Sequence, residues 1–473
     1  MRGIRDGFGS AEALDRHLAS QAPSVAWRGE LVAEKSNRDI AIFSTGETVV
    51  HGDSSYDAIV IGGGPGGSTA AAVLASKGRR VVLLEKEKFP RYHIGESLLP
   101  YTYFPLERIG LIDRMKSSHF PKKYSVQFVS RDGRASQPFY FFTQLKHEAA
   151  GTWQVLRSEF DQMLLDNARA KGVEVLEETM VRQTIQENGA VTGVKAVGKS
   201  GETLEFLAPI TIDASGRDAL AVTRSGWKVR DPYLNKIAVW TYYQGALRDP
   251  GIDEGATTIA YLPEKGWFWY IPLPENIVSV GAVAEKTYLY NGTRDLAKIF
   301  HHEVAKNAWV QQHLAPGRQI GPYRVTGEYS YRSRYCAADG LVLVGDAFAF
   351  LDPVFSSGVF LALRSGELAA DAVDTALTAG DVSASRFSKY GLQMCKGIEA
   401  MRKLVYTFYN LEFSFRKFID RYPHLHGDVT DCLMGNLFRD FNPLFEAVAS
   451  FASVPEPLEH GKALIEKPLI EGQ

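Results

Sequence analysis

Cysteine is rare in this chain of 473 residues, which contains three, Cys336, Cys395 and Cys432. They are far apart and odd in number, so they form neither the paired pattern of a disulfide framework nor the short spacing of a CxxC metal site. The sequence therefore predicts a protein without a structural metal. So few thiols fit a reducing cytoplasm best.

Long apolar runs are also missing. No stretch of about 18 consecutive apolar residues is present, and the N-terminus lacks the continuous apolar core of a secretion signal. Neither sign of charge is in excess, since 53 basic residues stand against 55 acidic ones, for a net charge of -2. We therefore expect a cytoplasmic protein with no membrane span and no nucleic-acid partner.

From Tyr56 onward the sequence has the pattern of a strand, a helix and a second strand. "DAIVIGGG" is a buried-strand run, "GGSTAAAVLASKG" is typical of a helix ended by Gly78, and "RVVLLEK" is another buried strand. This order is a βαβ unit that opens a parallel sheet. It predicts an α/β fold with a Rossmann-like domain.

The rest of the chain predicts two further parts. Short alternating strands rich in Tyr, Val and Trp predict a largely antiparallel sheet, and long periodic apolar segments after Leu361 predict covering helices. We expect an N-terminal extension of unknown role (1–55), a discontinuous nucleotide-binding domain (56–232 and 333–375), an antiparallel substrate domain (233–332) and a C-terminal helical region (376–473).

Gly62, Gly64 and Gly67 have GxGxxG spacing between the first strand and the helix. The first glycine allows a tight turn, the second lets the backbone approach a pyrophosphate, and the third lets helix and strand pack closely. The helix N-terminus adds free N–H groups and partial positive charge. Glu85 ends the second strand, where a carboxylate can accept both ribose hydroxyls. The segment predicts a dinucleotide site.

A second segment, "GLVLVGDAFAFLDPVFSSG", narrows the choice of dinucleotide. A buried strand that ends at Gly345 and Asp346 can direct a carboxylate at a polyol, and the ribityl chain of FAD is such a group. Asp346 can also cap the helix that follows, which is a common task for Asp. The two roles are compatible.

The segments "IGGGPGGS", "VLRSEFD", "DASGR" and "LVGDAFAFLDP", in this order, resemble FAD proteins of the p-hydroxybenzoate hydroxylase-like fold. Within that superfamily, residues 56–450 resemble the flavin-dependent halogenases, in the branch that modifies phenols and pyrroles. The resemblance implies a set of FAD contacts made by Gly62, Gly63, Gly64, Gly66, Gly67, Glu85, Arg91, Glu96, Ser97, Arg157, Asp346, Gly358 and Val359.

Three motifs carry the likeness to halogenases: "FPRYHIGESLLP" (89–100), "HFPKKYSVQF" (119–128) and "GWFWYIP" (266–272). The last reproduces the family's WxWxIP with Trp267, Trp269, Ile271 and Pro272, which by resemblance form a wall that keeps organic substrate away from the flavin. Period-two spacing puts the first three on one strand face. Ordinary sheet core is the alternative for such a tryptophan pair.

The family places a lysine at the far end of a tunnel from the flavin, where it captures hypohalous acid. A lysine five residues before an aromatic selects Lys123, which precedes Phe128, and leaves Lys122 as a solvated neighbour. The chemistry needs a buried amine, because burial lowers the pKa of lysine and frees its lone pair. A solvated face is the usual alternative for two adjacent lysines.

The halide is expected in "DPVFSSG" (352–358), where the backbone N–H groups of Ser357 and Gly358 can form an anion-binding concavity. The alternative is a serine N-cap. Tryptophan halogenases have a glutamate in this segment, whereas this chain has Phe355, as is typical of the phenol and pyrrole branch. "DASGR" replaces the DGxxS element of single-component hydroxylases, which implies a separate flavin reductase.

The sequence thus predicts a two-component halogenase. It would take reduced FAD from a partner reductase, use dioxygen and chloride or bromide to make hypohalous acid, and direct that acid through Lys123 onto a phenol or pyrrole, free or tethered to a carrier protein. Alternatives on the same fold are an FAD-dependent aromatic monooxygenase and a geranylgeranyl-reductase-like oxidoreductase. A non-catalytic flavoprotein is the third.

Overall fold

The computed structural model describes residues 56–262, 266–327, 330–410, 412–458 and 461–465, together with the strand Val49–Val50. That strand pairs in parallel with Thr203–Leu207. The remainder of the N-terminal extension predicted for residues 1–55 lies outside the described residues, and its role stays open.

A seven-stranded sheet forms the centre of the α/β part. The strands Ala58–Ile61 and Val81–Leu84 are buried along their whole length, as expected for apolar runs in a parallel sheet covered on both faces. The helix between them packs against the long helix Ser357–Thr378. From edge to edge the strands are Lys462–Ala463, Tyr335–Ala338, Leu341–Leu343, Ile210–Asp213, Ala58–Ile61, Val81–Leu84 and Glu174–Leu176.

A second seven-stranded sheet is mainly antiparallel. Five of its strands come from the segment predicted to form it. Ser125–Val129 and Phe139–Tyr140 also join it, and Ser125–Val129 pairs in parallel with Thr257–Leu262. The short strand that carries the two lysines therefore runs directly into this sheet. In order, the strands are Arg318–Thr326, Lys236–Gln244, Ile277–Glu285, Gly266–Leu273, Thr257–Leu262, Ser125–Val129 and Phe139–Tyr140.

Smaller sheets and helices complete the described residues. The small sheets comprise Met180–Glu187, Ala190–Val197 and Thr203–Leu207 with Val49–Val50; Lys228–Arg230, Tyr331–Ser333 and Ala349–Phe350; and Lys122–Lys123 with Thr152–Trp153. The α-helices are Pro65–Ser76, Tyr103–Arg108, Ile112–Lys116, Arg157–Ala170, Leu220–Arg224, Lys286–Leu289, Leu296–Val304, Ala308–Leu314, Ser357–Thr378, Ser388–Tyr409, Phe415–Arg421, His426–Met434 and Asn442–Val448. The predicted α/β class with a helical C-terminal region is confirmed.

The antiparallel sheet separates two apolar clusters. Trp267, Trp269 and Ile271 pack in the larger cluster, which extends to the parallel sheet. Phe268 and Tyr270, the alternate residues of the same strand, pack in the other cluster. The predicted period-two division of this strand is thus confirmed. Within the described ranges, no helix is both long enough and apolar enough to cross a bilayer.

Candidate active site

A cavity of about 580 Å³ lies between the glycine turn and the antiparallel sheet. Most residues expected to contact FAD line it: Gly62, Gly64, Gly66, Glu85, Arg91, Glu96, Ser97, Arg157, Asp346, Gly358 and Val359, together with Trp267, Trp269 and Ile271. Gly63 and Gly67 belong to the same turn without lining the cavity. Lys123, Ser357 and Pro272 also lie outside its lining.

Two glycines of the turn have no room for a side chain, whereas the third does. A Cβ at Gly67 would lie 2.0 Å from the carbonyl oxygen of Gly62, and one at Gly62, where φ is +100°, would lie 2.5 Å from that of Ala214. A Cβ at Gly64 would meet only Arg91, at 3.6 Å. No side chain caps the helix that begins at Pro65. Its N-terminus is thus accessible to an anion from the cavity.

Glu85 ties the turn to the strand that it ends. Its Oε2 accepts a hydrogen bond from the Gly63 N–H at 2.7 Å, and its Oε1 accepts one from the Glu87 N–H at 2.8 Å. Burial raises the pKa of this carboxyl, although both backbone donors favour the ionised form. Each oxygen keeps a second lone pair, so Glu85 can still accept from a ribose hydroxyl.

Asp161 holds Arg91 and Arg157, two of the arginines that line the cavity, in place. Its carboxylate accepts from Arg91 at 3.0 Å and from the Nε of Arg157 at 2.7 Å. Burial opposes the charge, but the two guanidinium groups hold the pKa of Asp161 below its usual range. Asp161 was not among the predicted site residues, although its position four residues after Arg157 on one helix was an available signal.

His93 also lines the cavity and was missed. Its Nδ1 lies 2.7 Å from the carbonyl oxygen of Ile94, so Nδ1–H donates and Nε2 keeps its lone pair. Burial, and then the charges of Arg157 and Arg91, lower the pKa of His93 to about 3. A neutral imidazole in the "RYHIGES" segment can therefore accept a hydrogen bond from a cofactor.

Asp346 lines the cavity from the other side, in a short turn that follows the strand Leu341–Leu343. Burial raises its pKa to about 6, against the opposing charges of Arg217 and Arg157. Asp346 does not act as the alternative helix cap, because the helix of this segment begins only at Ser357 and has no side-chain cap.

Glu96 is buried beside the tryptophan strand. Its Oε1 accepts from the Tyr242 hydroxyl at 2.8 Å, while its Oε2 has no hydrogen-bond partner in the described part of the chain. The nearby Ser279 hydroxyl favours the ionised form without reaching hydrogen-bond geometry. Burial is the larger effect, and it raises the pKa of Glu96 to about 7. Glu96 can therefore gain or lose a proton near neutral pH.

Lys123 is buried, with 2% of its surface exposed. Its Nζ donates to the hydroxyl of Ser97 at 2.8 Å and to the carbonyl of Leu98 at 3.2 Å. Burial lowers the pKa of Lys123 to about 7. Because Ser97 lines the cavity, one hydrogen bond connects the amine to the cavity wall.

Two further residues complete the polar group around Ser97. The Ser97 hydroxyl lies 2.8 Å from that of Thr257, which also accepts from the amide of Gln154 at 2.9 Å. Gln154 Oε1 is buried and has no partner in the described residues. Nothing in their local sequence indicated Thr257 or Gln154, since they reach this point through strand pairing.

Lys122 was predicted to be a solvated neighbour of Lys123, and this prediction is wrong, because its amine is half-buried against Trp153. It is directly opposite Trp153 in a two-stranded ribbon, so both side chains project from the face opposite to Lys123. Its Nζ lies 3.7 Å from the centre of the Trp153 ring, and burial lowers its pKa. Both residues line a second cavity, of about 400 Å³.

The segment expected to hold halide contains an uncapped helix N-terminus. Ser356 has a left-handed backbone, with φ of +56°, and the helix begins at Ser357 without a side-chain cap. The alternative of a serine cap is therefore not seen. The Ser357 hydroxyl is buried and has no partner in the described residues. Gly358 leaves open space within 4 Å of where a Cβ would lie.

The tryptophan wall is anchored by hydrogen bonds. The Trp267 indole N–H donates to the Tyr409 hydroxyl at 2.8 Å, and that hydroxyl donates to Asp352 at 2.8 Å. Trp269 donates to Ser279 at 3.0 Å. Tyr409, in the C-terminal helical region, thus joins the wall to Asp352 of the segment expected to hold halide. This role of Tyr409 was not predicted.

Phe355 lies in an aromatic cluster beside the strand that follows Lys123. Its ring centre is 5.7 Å from that of Phe408 and 6.3 Å from that of Phe415, and Phe128 stacks on Phe415 at 4.9 Å. The position where tryptophan halogenases have a glutamate is therefore apolar in this chain. In the described ranges no cluster of potential metal ligands is present.

Known proteins match this arrangement. A family model described as tryptophan halogenase matches residues 57–152 and 131–415. The chain is 30% identical to the 1H-pyrrole-2-carbonyl-(peptidyl-carrier protein) chlorinase of Pseudomonas fluorescens, over 86% of the chain and 96% of the relative. It is 32% identical to the corresponding brominase of Pseudoalteromonas luteoviolacea, over 69% of the chain and 79% of the relative.

A solved structure shows the same architecture. The flavin-dependent brominase Bmp2 superposes with a TM-score of 0.76 at 28% identity, covering 84% of this chain and 97% of that one.

Proposed function

Since the chain belongs to the tryptophan halogenase family and is a flavin-dependent halogenase, we propose that it chlorinates or brominates a pyrrole or phenol carried by a peptidyl-carrier protein. Two relatives named as halogenases of a carrier-bound pyrrole support the proposal, because both match over more than two thirds of the chain. The observation that carries the halogenation chemistry is a buried lysine amine, Lys123, one hydrogen bond from the cavity.

The residues of the cavity fit FAD. Gly64 leaves its backbone accessible to a pyrophosphate, Glu85 has lone pairs for ribose hydroxyls, and Asp346 is a carboxylate without a capping task. Arg91 and Arg157 supply positive charge for the phosphates. Once bound and reduced, FAD supplies the activation of dioxygen that oxidises halide to hypohalous acid.

Halide is proposed to bind at the backbone N–H groups of Ser357 and Gly358. The first N–H groups of a helix have no intrahelical acceptors, and this helix is uncapped. The unpaired Ser357 hydroxyl adds a buried donor. Trp267 and Trp269 separate this region from the organic substrate, and Tyr409 holds Trp267 against Asp352 of the same segment.

Lys123 is proposed to hold hypohalous acid and direct its halogen onto the aromatic ring. A buried amine with a pKa near 7 is partly neutral at physiological pH, so its lone pair is available. Ser97, which is hydrogen-bonded to the amine and lines the cavity, positions it. Phe355 supplies no base, so the ring must be activated by its own phenol O–H or pyrrole nitrogen.

The test uses the full chain with a flavin reductase, NADH, FAD and bromide or chloride. Pyrrole-2-carbonyl attached to a carrier protein is compared with free pyrrole-2-carboxylate and a phenol panel by mass spectrometry. We expect halogenated carrier-bound pyrrole. Halogenation of the free acid alone would overturn the carrier proposal, and hydroxylated products alone would favour the monooxygenase alternative. Omitting the reductase should abolish turnover, and chemically reduced FAD should restore it.

A further inference from the structure

Three aromatic side chains and Glu96 form a hydrogen-bonded chain with one direction. The Tyr242 hydroxyl donates to Glu96 at 2.8 Å, the Tyr92 hydroxyl lies 2.8 Å from that of Tyr242, and the Trp240 indole N–H donates to Tyr92 at 2.9 Å. Because the Tyr242 hydroxyl donates its hydrogen bond to Glu96, its oxygen accepts one from Tyr92. Every donor in the chain therefore points toward Glu96.

Within this chain, the hydroxyl of Tyr92 and the carboxyl of Glu96 belong to residues that line the cavity. Tyr242, which connects them, has 2% of its surface exposed and does not line the cavity. A flavin bound in the cavity would exclude water from the space between Tyr92 and Glu96. It would leave the route through Tyr242 intact, because that route runs inside the protein.

Halide oxidation consumes a proton. In balance, reduced FAD, dioxygen, one halide ion and one proton give oxidised FAD, water and hypohalous acid. Halide is oxidised by two electrons, reduced FAD loses two, and dioxygen accepts all four. A site closed by its own cofactor needs a path for that proton.

We propose that Tyr92 and Tyr242 relay protons to Glu96, which supplies the proton taken up in halide oxidation. In each transfer the Tyr242 O–H bond breaks as an O–H bond forms on Glu96. The Tyr92 proton replaces it, and a proton from water replaces that one. The inference rests on the proposed binding of FAD in the cavity.

The surroundings of Glu96 suit a group that is protonated and deprotonated in every catalytic cycle. Arg157 and Arg324 favour its carboxylate, as do the Ser279 and Tyr242 hydroxyls, while burial favours its acid form. Both forms are therefore populated near neutral pH. Burial raises the pKa of Tyr92 to about 12 and that of Tyr242 well above its usual value, so both remain neutral and pass protons without holding charge.

The test compares Tyr92→Phe with Tyr270→Phe. Tyr92→Phe interrupts the chain but keeps the Tyr242 bond to Glu96. Tyr270 lies in the same sheet as Tyr242 and is buried to the same extent, but it packs in the other apolar cluster and donates to the Leu247 carbonyl. The readout is the infrared band of the protonated Glu96 carboxyl, assigned with Glu96→Gln. It is followed after a pH jump, with and without oxidised FAD.

With FAD bound, Tyr92→Phe should slow the protonation of Glu96 by about 100-fold, which is within the usual contribution of a positioned proton donor. The titration midpoint of Glu96 should stay unchanged. Without FAD, water should reach Glu96 directly and the variant should match the unaltered protein. Equal rates with FAD bound, or the same slowing in Tyr270→Phe, would overturn the relay. Absence of FAD binding by the unaltered protein, measured by flavin fluorescence, would instead refute the proposed function.

Discussion

The amine of Lys123 donates a hydrogen bond to the hydroxyl of Ser97 over 2.8 Å. Lys123 lies outside the lining of the cavity of about 580 Å³, and Ser97 belongs to that lining. The two proposed steps would therefore occur in different places. Halide oxidation would occur in the cavity, and halogen transfer would occur behind Ser97. The two steps should therefore respond to different substitutions.

Replacing Lys123 should remove halogenation and spare the flavin. We expect Lys123→Ala and Lys123→Met to lower the rate of halogenated product by at least about 100-fold, while FAD affinity and the reoxidation rate of reduced FAD stay close to the original. Lys123→Arg should also fail, because guanidinium stays protonated and offers no lone pair. Product is measured by mass spectrometry and flavin by stopped-flow absorbance.

Lys122→Ala is the matched control, because Lys122 projects from the opposite face of the same ribbon. It removes a ring contact with Trp153 and should change halogenation little. Substantial halogenation by Lys123→Ala, or its loss in Lys122→Ala alone, would show that the lysine has been assigned wrongly.

Burial of Lys123 should also appear in protein stability. Its folded pKa, about 7, lies below the unfolded value near 10.5, so between these pH values the unfolded chain binds more protons. The contribution of Lys123 to the free energy of unfolding should therefore rise by about 3 kcal/mol from pH 7 to pH 9.5. At pH values below the folded pKa, Lys123 is protonated in both the folded and the unfolded chain, so the whole cost of burying its charge lowers the free energy of unfolding.

The measurement is urea unfolding of the unaltered protein and of Lys123→Met at both pH values. Taking the difference between the two proteins removes the titration of tyrosines and other shared groups. Lys123→Met should be the more stable protein at pH 7, and its advantage should shrink at pH 9.5. A pH-independent difference would mean that the amine is solvated.

The glycine turn predicts two different outcomes for similar substitutions. Gly64→Ala should fold normally, since its Cβ would meet only Arg91 at 3.6 Å, but should weaken FAD binding where the backbone must approach the pyrophosphate. Gly64→Val should weaken it further. Gly67→Ala should lower thermal stability even without FAD, because its Cβ would lie 2.0 Å from the Gly62 carbonyl. Full FAD affinity in Gly64→Val, measured by flavin fluorescence, would contradict the assignment.

Local patterns predicted the turn well and the polar interior poorly. Gly62 to Gly67 and the alternation at Trp267 and Trp269 depend on spacing within one segment, which the sequence displays. The Tyr242 contact with Glu96 and the Tyr409 contact with Trp267 join residues more than a hundred positions apart. No local pattern identifies such partners, because strand pairing and helix docking bring them together.

The tryptophan wall provides the last prediction. Gly281 leaves room for Trp269, since a Cβ there would lie 2.4 Å from the indole ring. We therefore expect Gly281→Ala to displace Trp269. Trp269→Phe should shorten the wall at a smaller cost than truncation to alanine, which would lower the free energy of unfolding by about 3–5 kcal/mol.

If the wall screens the flavin from organic substrate, both folded variants should yield hydroxylated product beside halogenated product. Phe268→Leu, on the opposite face of the strand, is the control and should yield halogenated product only. The product ratio, measured by mass spectrometry at equal FAD occupancy, distinguishes screening from core packing, because a packing role would reduce both products together.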